Sequence, residues 1–194
     1  MKLIFAAATA AAALIASMPA DAASVISAGL KPVQECAIAA GKLNLSDRQM
    51  ANALAACDAA LAGDISQQSR AGTQVNRGIL EAAAGRTDAA IADFDAGLAR
   101  DPSLTAGYMN RGAALLKAGR YSEARADFDR AIEHGTPDLH VAYFNRGEAQ
   151  EASGNLIAAY HDYRKAQALA PDFKPAGLEL ARFQVTERRV ADGR

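Results

Sequence analysis

Apolar residues in the middle of the chain recur with the spacing of an α-helix. Between residues 121 and 132 they are separated by three, four, three and one positions, at Tyr121, Ala124, Phe128, Ala131 and Ile132. This spacing places their side chains on one face of a helix. Valine, threonine and the aromatic residues do not alternate with polar residues for long, whereas the strong helix formers alanine, leucine, arginine and glutamate are abundant. The pattern predicts an all-α protein.

The helical pattern returns at a fixed interval, which is typical of a repeat architecture. The tripeptide Asn-Arg-Gly begins at Asn76, Asn110 and Asn145, at steps of 34 and 35 residues. Its glycines are called helix glycines here: Gly78, Gly112 and Gly147. Four more sets recur at nearly the same steps: the turn glycines Gly85, Gly119 and Gly154; the small residues Ala90, Ala124 and Ala159; the ring residues Phe94, Phe128 and Tyr163; and the prolines Pro102, Pro137 and Pro171.

Each interval predicts two helices. The turn glycines end the first helix, because glycine accepts the left-handed conformation that stops a helix. The prolines follow the second helix and prevent its continuation. A helix glycine costs ~1 kcal/mol relative to alanine, so its recurrence indicates that the backbone approaches another helix closely. We expect the small residue of the second helix to face it, and the ring residue to fill the space between units.

These recurring residues resemble the tetratricopeptide repeat. The resemblance implies an all-α solenoid of stacked antiparallel helix hairpins, with repeats over 71–104, 105–138 and 139–173. A degenerate helix pair within 23–65, after an irregular start, precedes them, and a capping helix and tail over 174–194 follow. Two positions depart from the family pattern. Gln74 stands where the other units have Tyr108 and Tyr143, and Gly97 replaces an expected alanine.

The first 22 residues have the composition of a secretory signal peptide. Lys2 supplies one positive charge, residues 3–20 are uncharged, and Ala20-Asp21-Ala22 offers small residues at a cleavage position. The alternative is a membrane anchor, which needs ~20 apolar residues. No later stretch is long and apolar enough to span a bilayer, so we expect an exported bacterial protein of the periplasm, with secretion into the medium left open.

Cys36 and Cys57 are the only cysteines, one on each helix of the degenerate pair. Export to an oxidising compartment predicts a disulfide between them. Closing a loop of this length would stabilise the fold by ~3 kcal/mol. The alternative is a pair of buried thiols. A redox enzyme is disfavoured because the cysteines do not form a C-x-x-C pair.

Several function classes have no support in the sequence. The net charge of −1 gives no basic excess for nucleic acid and no polybasic segment for lipid. His134, His140 and His161 lack the spacing of metal ligands, and no nucleotide-binding or hydrolase motif occurs. Asp93 and Asp95 are two residues apart on a helix, so they point in different directions. We therefore expect no catalytic residue, metal site or cofactor, and a function other than catalysis.

One charge pattern keeps the interval of the repeat. An arginine and an aspartate sixteen residues apart lie on the two helices of each unit: Arg77 and Asp93, Arg111 and Asp127, and Arg146 and Asp162. We hypothesise an ion pair inside each unit. The alternative is two independent surface charges, and an exposed pair would contribute only ~0–1 kcal/mol.

The resemblance implies that the first helix of each unit lines a concave groove that binds a protein or peptide. The expected partner-binding residues are Asn76, Asn110, Asn145, Val75, Met109, Phe144, Ile79, Leu116 and Lys117. An asparagine amide can both donate and accept a hydrogen bond to a ligand backbone. A clamp for a C-terminal carboxylate is disfavoured, because the positions four before each asparagine, Gly72, Ala106 and Val141, carry no positive charge. Self-association, with one chain filling another's groove, is the alternative function, so a homo-oligomer is possible.

Overall fold

The computed structural model describes residues 31–42 and 44–191, with side chains as far as residue 183. The predicted leader over 1–22 and the first residues of the irregular segment lie outside this part. The part that is described contains no strand and nine helices, α1 to α9: Lys31–Ala40, Asp47–Ala62, Gln67–Ala83, Thr87–Arg100, Thr105–Lys117, Tyr121–Glu133, Leu139–Ala152, Leu156–Leu169 and Lys174–Ala191. None of these helices has the length and apolarity needed to cross a bilayer.

The helices stack in chain order. Helices α1 and α2, α3 and α4, α5 and α6, and α7 and α8 pair as hairpins, and α9 packs on α8. Each second helix also contacts the first helix of the following hairpin, while the first helices α3, α5 and α7 contact one another in succession. This order confirms the predicted all-α solenoid of stacked hairpins.

Helix ends follow from the residues at the boundaries. Ser46 caps α2 by accepting a hydrogen bond from the backbone N–H of Gln49, whose side chain accepts one from the Ser46 backbone. The φ angles of Gly85 and Gly119 are +79° and +76°. A side chain would be strained in this left-handed region, so glycine ends the first helix of each unit at little cost.

The tightest contact within each unit joins a helix glycine to a ring residue. A Cβ added at Gly78 would lie 2.6 Å from the ring of Phe94, and one at Gly112 would lie 2.8 Å from the ring of Phe128. Both rings are fully buried. The small residue of the second helix lies farther from the glycine than the ring does. At Gly78, the Ala90 carbonyl oxygen is 3.1 Å from the added Cβ. Glycine is required because the ring itself occupies the space of a side chain.

The predicted ion pairs are confirmed, and the structure adds a second aspartate to each. The Arg111 guanidinium donates to both carboxylate oxygens of Asp127 at 2.8 and 2.7 Å. It also donates to Asp95 of the preceding unit at 2.6 Å. Two other arginines do the same, forming an ion-pair ladder with these members: Asp58, Arg77, Asp93, Asp95, Arg111, Asp127, Asp129, Arg146 and Asp162.

The ladder joins neighbouring units because each arginine bonds one buried carboxylate of its own unit and one more accessible carboxylate of the preceding unit. The Asp127 side chain is 7% exposed, whereas that of Asp95 is 57% exposed. The hydrogen bonds that Arg111 donates to Asp127 raise the pKa of Arg111, while burial raises the pKa of the Asp127 carboxyl despite its two bonds to Arg111. The bonds between Arg111 and Asp127, which we call the inner bonds, thus carry a desolvation cost. Removing one partner would leave the other charge buried and unpaired, which is unfavourable.

Replacing Gly112 by alanine is expected to lower the free energy of unfolding by about 1 to 3 kcal/mol, because the new methyl group overlaps the Phe128 ring. Gly72→Ala is the matched control in α3, since nothing lies within 4 Å of its added Cβ. It should leave stability unchanged or raise it by up to ~1 kcal/mol. Urea unfolding followed by circular dichroism measures both, and equal effects of the two substitutions would contradict the close contact.

A double-mutant cycle on Arg111 and Asp127 should give a coupling of about 1 to 3 kcal/mol, because the carboxylate is buried and held by two bonds. The control pair is Arg130 and Glu133, whose side chains are both 62% exposed. Its coupling should not exceed ~0.5 kcal/mol. Equal coupling in the two cycles, measured by chemical denaturation, would show that the ladder adds nothing beyond surface charge.

Candidate functional site

The candidate site is the face formed by the first helices α3, α5 and α7, called here the first-helix face. Four of the predicted binding residues are more deeply placed than expected. Val75, Met109, Phe144 and Leu116 are only 3 to 4% exposed and belong to the buried apolar clusters of the stack. These side chains are therefore packed inside the stack in this structure, and partner binding by them stays a prediction. Helical spacing identifies a shared face but gives no measure of how deeply that face is packed.

The three asparagines are also buried, at 7% exposure for Asn76, 4% for Asn110 and 3% for Asn145. The Asn110 side-chain amide donates to the carbonyl oxygen of Ala106, one turn earlier, at 2.8 Å. Part of its hydrogen-bonding capacity is thus used inside its own helix. Ligand binding by the asparagines stays a prediction, and it would require their amides to become accessible.

Two predicted residues are the more accessible part of the face. Ile79 is partly buried and packs against both the central cluster and the cluster of the first hairpin. Lys117, the last residue of α5, is exposed. The face thus offers an apolar side chain near its beginning and a cation near its middle.

The face ends in three carboxylates, of which α7 supplies Glu148 and Glu151 and α9 supplies Glu179. Arg182 donates to Glu151, and also to Glu179 at 2.8 Å. The Tyr163 hydroxyl donates to Glu151 at 2.9 Å. The sequence analysis does not identify Glu179 and Arg182, because the angle at which α9 packs is not encoded in the repeat interval.

Glu148 differs from its two acidic neighbours in the state of its carboxyl group. Its Oε2 atom is buried and has no hydrogen-bond partner among the residues that the structure describes. Burial raises the pKa of Glu148 to about 7, with smaller contributions from Glu179 and Glu151. Near neutral pH this carboxyl is therefore close to half protonated, and a nearby cation would favour its ionised form.

The first unit lacks one contact that the other two share. Arg111 lies over the Tyr108 ring at 5.7 Å, and Arg146 lies over the Tyr143 ring at 5.1 Å. In the first unit the corresponding residue is Gln74, whose Oε1 atom is buried without a hydrogen-bond partner in the described part of the chain. The departure from the family pattern therefore removes a cation–π contact and leaves a polar atom unsatisfied.

The structure joins Cys36 to Cys57 in a disulfide, with their Cα atoms 4.8 Å apart. Both side chains are fully buried in the first hairpin. Among the described residues, no group of histidine, cysteine and carboxylate side chains is arranged to hold a metal ion.

Comparison with known proteins places these features in a family. The family model described as tetratricopeptide repeat matches residues 75–139 and 109–172. Among curated proteins none matches this chain. Several solved structures share its fold.

The first tetratricopeptide domain of Spaghetti (RPAP3), bound to an HSP90 peptide, is 25% identical with a TM-score of 0.59 and covers 64% of this chain and 97% of its own. The second such domain of human RPAP3, in complex with an HSP70 peptide, is 28% identical with a TM-score of 0.58. It covers 61% of this chain and 98% of its own. The Arabidopsis OM64 tetratricopeptide domain is 21% identical with a TM-score of 0.60, and it covers 62% of this chain and 99% of its own. At this identity the likeness is one of fold only. Together with the stacked hairpins, the family match shows that the chain belongs to the tetratricopeptide repeat family.

Proposed function

We propose that the chain is an adaptor that binds a protein segment along the first-helix face. Tetratricopeptide domains mediate protein–protein interaction, and the two RPAP3 domains are each in complex with a peptide. The observation that carries the proposal is the succession of α3, α5 and α7 in mutual contact, which makes one continuous face from three units. Such a scaffold has no need of catalytic groups.

The charges of this face favour a ligand unlike the acidic peptide of the first RPAP3 domain, whose sequence is SRMEEVD. Gly72, Ala106 and Val141 supply no cation for a C-terminal carboxylate. The far end of the face carries Glu148 and Glu151 instead. A segment with apolar side chains and one lysine or arginine fits this distribution, because a charge-assisted hydrogen bond would satisfy the buried oxygen of Glu148.

The proposed place of action is the bacterial periplasm. The support is the leader over residues 1–22, whose charge, uncharged run and small residues suit a signal peptidase. Secretion into the medium would use the same kind of leader. The partner would then be another protein of the cell envelope or an exported one.

Self-association is the second candidate function, and exposed apolar side chains favour it. Ile157 is 76% exposed and Leu178 is 71% exposed. Ile157 stands where the first two units have Asp88 and Ser122, both of them polar and exposed. Contiguous apolar patches on a surface mark interaction sites, whereas single apolar side chains do not. Self-association would bury Ile157 and Leu178 against a second copy of the chain.

A library of synthetic peptides should yield ligands that combine apolar residues with one lysine or arginine, when binding is measured by fluorescence anisotropy. Glu148→Gln should weaken such a ligand at least tenfold, because it removes the buried carboxylate that faces the cation. Affinity should also rise from about pH 6 to about pH 8, since only the ionised carboxyl of Glu148 attracts the cation and its pKa is about 7.

The matched control is Glu123→Gln, on an exposed carboxylate of the second helix α6. It should leave affinity unchanged. Selection of acidic C-terminal peptides, or equal affinity in Glu148→Gln and the native protein, would refute a cation-binding end of the face.

If self-association is the function, sedimentation velocity at increasing concentration should show a dimer or larger species. Ile157→Ser, which restores the residue of the second unit, should return the protein to a monomer. A native protein that stays monomeric throughout the concentration series would remove this alternative.

A further inference from the structure

The first hairpin replaces the contact that holds the other three hairpins together. Asp95 follows the ring residue Phe94, and it bonds the arginine of the next unit. Asp58 bonds Arg77 of the next unit in the same way, and the residue before it is Cys57. Cys57 therefore holds the place of the ring residue. Its partner across the hairpin, Cys36, holds the place of the helix glycine.

The side chains that this hairpin itself buries completely are small. Its buried cluster consists of the two cysteines, Ala40, Ala53 and Leu80, the last of which belongs to α3, and the partly buried Leu45, Met50 and Leu54 pack against it. The other hairpins bury a phenylalanine or tyrosine ring at the equivalent place. Burial of apolar area is the main stabilising contribution to a fold. Because this hairpin buries no aromatic ring, the disulfide contributes a larger part of its stability.

Helices α1 and α2 both pack on α3, and the polar contacts between this hairpin and α3 lie partly at the surface. The Asp58 side chain, which bonds Arg77, is 63% exposed, so this bond contributes little. Arg70 of α3 donates to the carbonyl oxygens of Leu61 and Gly63 at the end of α2. The Thr73 hydroxyl is buried without a hydrogen-bond partner in the described part of the chain, which is an unfavourable state for a polar group.

We propose that the hairpin of α1 and α2 is a redox-controlled unit, docked on α3 while the disulfide is formed and released when a dithiol reduces it. The dithiol loses two electrons and two protons and becomes a cyclic disulfide. The Cys36–Cys57 bond accepts them and becomes two thiols. Both sulfur atoms are inaccessible in the docked hairpin, so the reductant reacts when the hairpin opens, and each reduced molecule loses the link that would close it again.

Release would be confined to the first hairpin. The later units retain their own contacts between helix glycines and ring residues. Arg111 and Arg146 also keep their bonds to the aspartate of their own unit and to that of the preceding unit. Opening would uncover the end of the α3–α4 unit, including Leu80, while residues 105–173 stay folded. This inference does not rest on the proposed peptide-binding function.

Hydrogen exchange of the full chain, with and without dithiothreitol, tests the proposal. Amides of residues 31–62 should exchange about a hundredfold faster after reduction, which is the effect expected from losing a cross-link across a loop of this length. Amides of residues 105–173 should be unchanged. Unchanged exchange in 31–62 would overturn the proposal, and so would an equal acceleration in 105–173, because the release would then not be local.

A paired variant supplies the control. Cys36→Gly with Cys57→Phe rebuilds the contact found in the other hairpins and removes the disulfide. Its residues 31–62 should be protected to the same extent as in the oxidised native protein, whether or not dithiothreitol is present. The Cys36→Ser, Cys57→Ser pair should instead exchange like the reduced native protein, and protection in that variant equal to the oxidised native protein would overturn the proposal.

Discussion

The close approach of two helices at a glycine is the constraint on which the stack depends. In the second unit the Phe128 ring occupies the space that a side chain at Gly112 would need. This contact fixes how near α5 and α6 lie to each other, and therefore which neighbouring residues meet. Arg111 precedes the glycine and Asp127 precedes the ring, so the helix contact brings the guanidinium directly to the carboxylate.

The same geometry explains why an aspartate stands on both sides of the ring. Asp127 bonds the arginine of its own unit, and Asp129 bonds Arg146 of the following unit. Carboxylates two residues apart on a helix thus serve two different interfaces, one within a hairpin and one between hairpins. In the third unit the outer position is Arg164, so the alternation of charges stops where the last complete hairpin ends.

Dense packing has a consequence for function. Because the first helices lie against one another, the central side chains of their shared face are buried. The polar groups left for a ligand are Lys117 at the edge and the carboxylates near Glu148 at the end of the face. Recognition at this face then depends on charge and on a single unsatisfied carboxyl oxygen. At the opposite end of the stack, a disulfide takes the place of the ring contact. The outermost hairpin is therefore the one whose docking is proposed to depend on the oxidation state of its cysteines.

The sequence by itself determined the helical class, the number of complete units and the residues that end each helix, and it offered the pairing of Arg111 with Asp127 as one of two alternatives. These properties depend on local conformation or on a strict interval, and both can be counted along the chain. Only the tertiary structure decided that Met109 and Phe144 are buried, that Asp95 bonds the next unit, and that Glu179 joins Glu148. Those outcomes depend on the depth and angle at which separate helices pack, and a periodic pattern specifies neither.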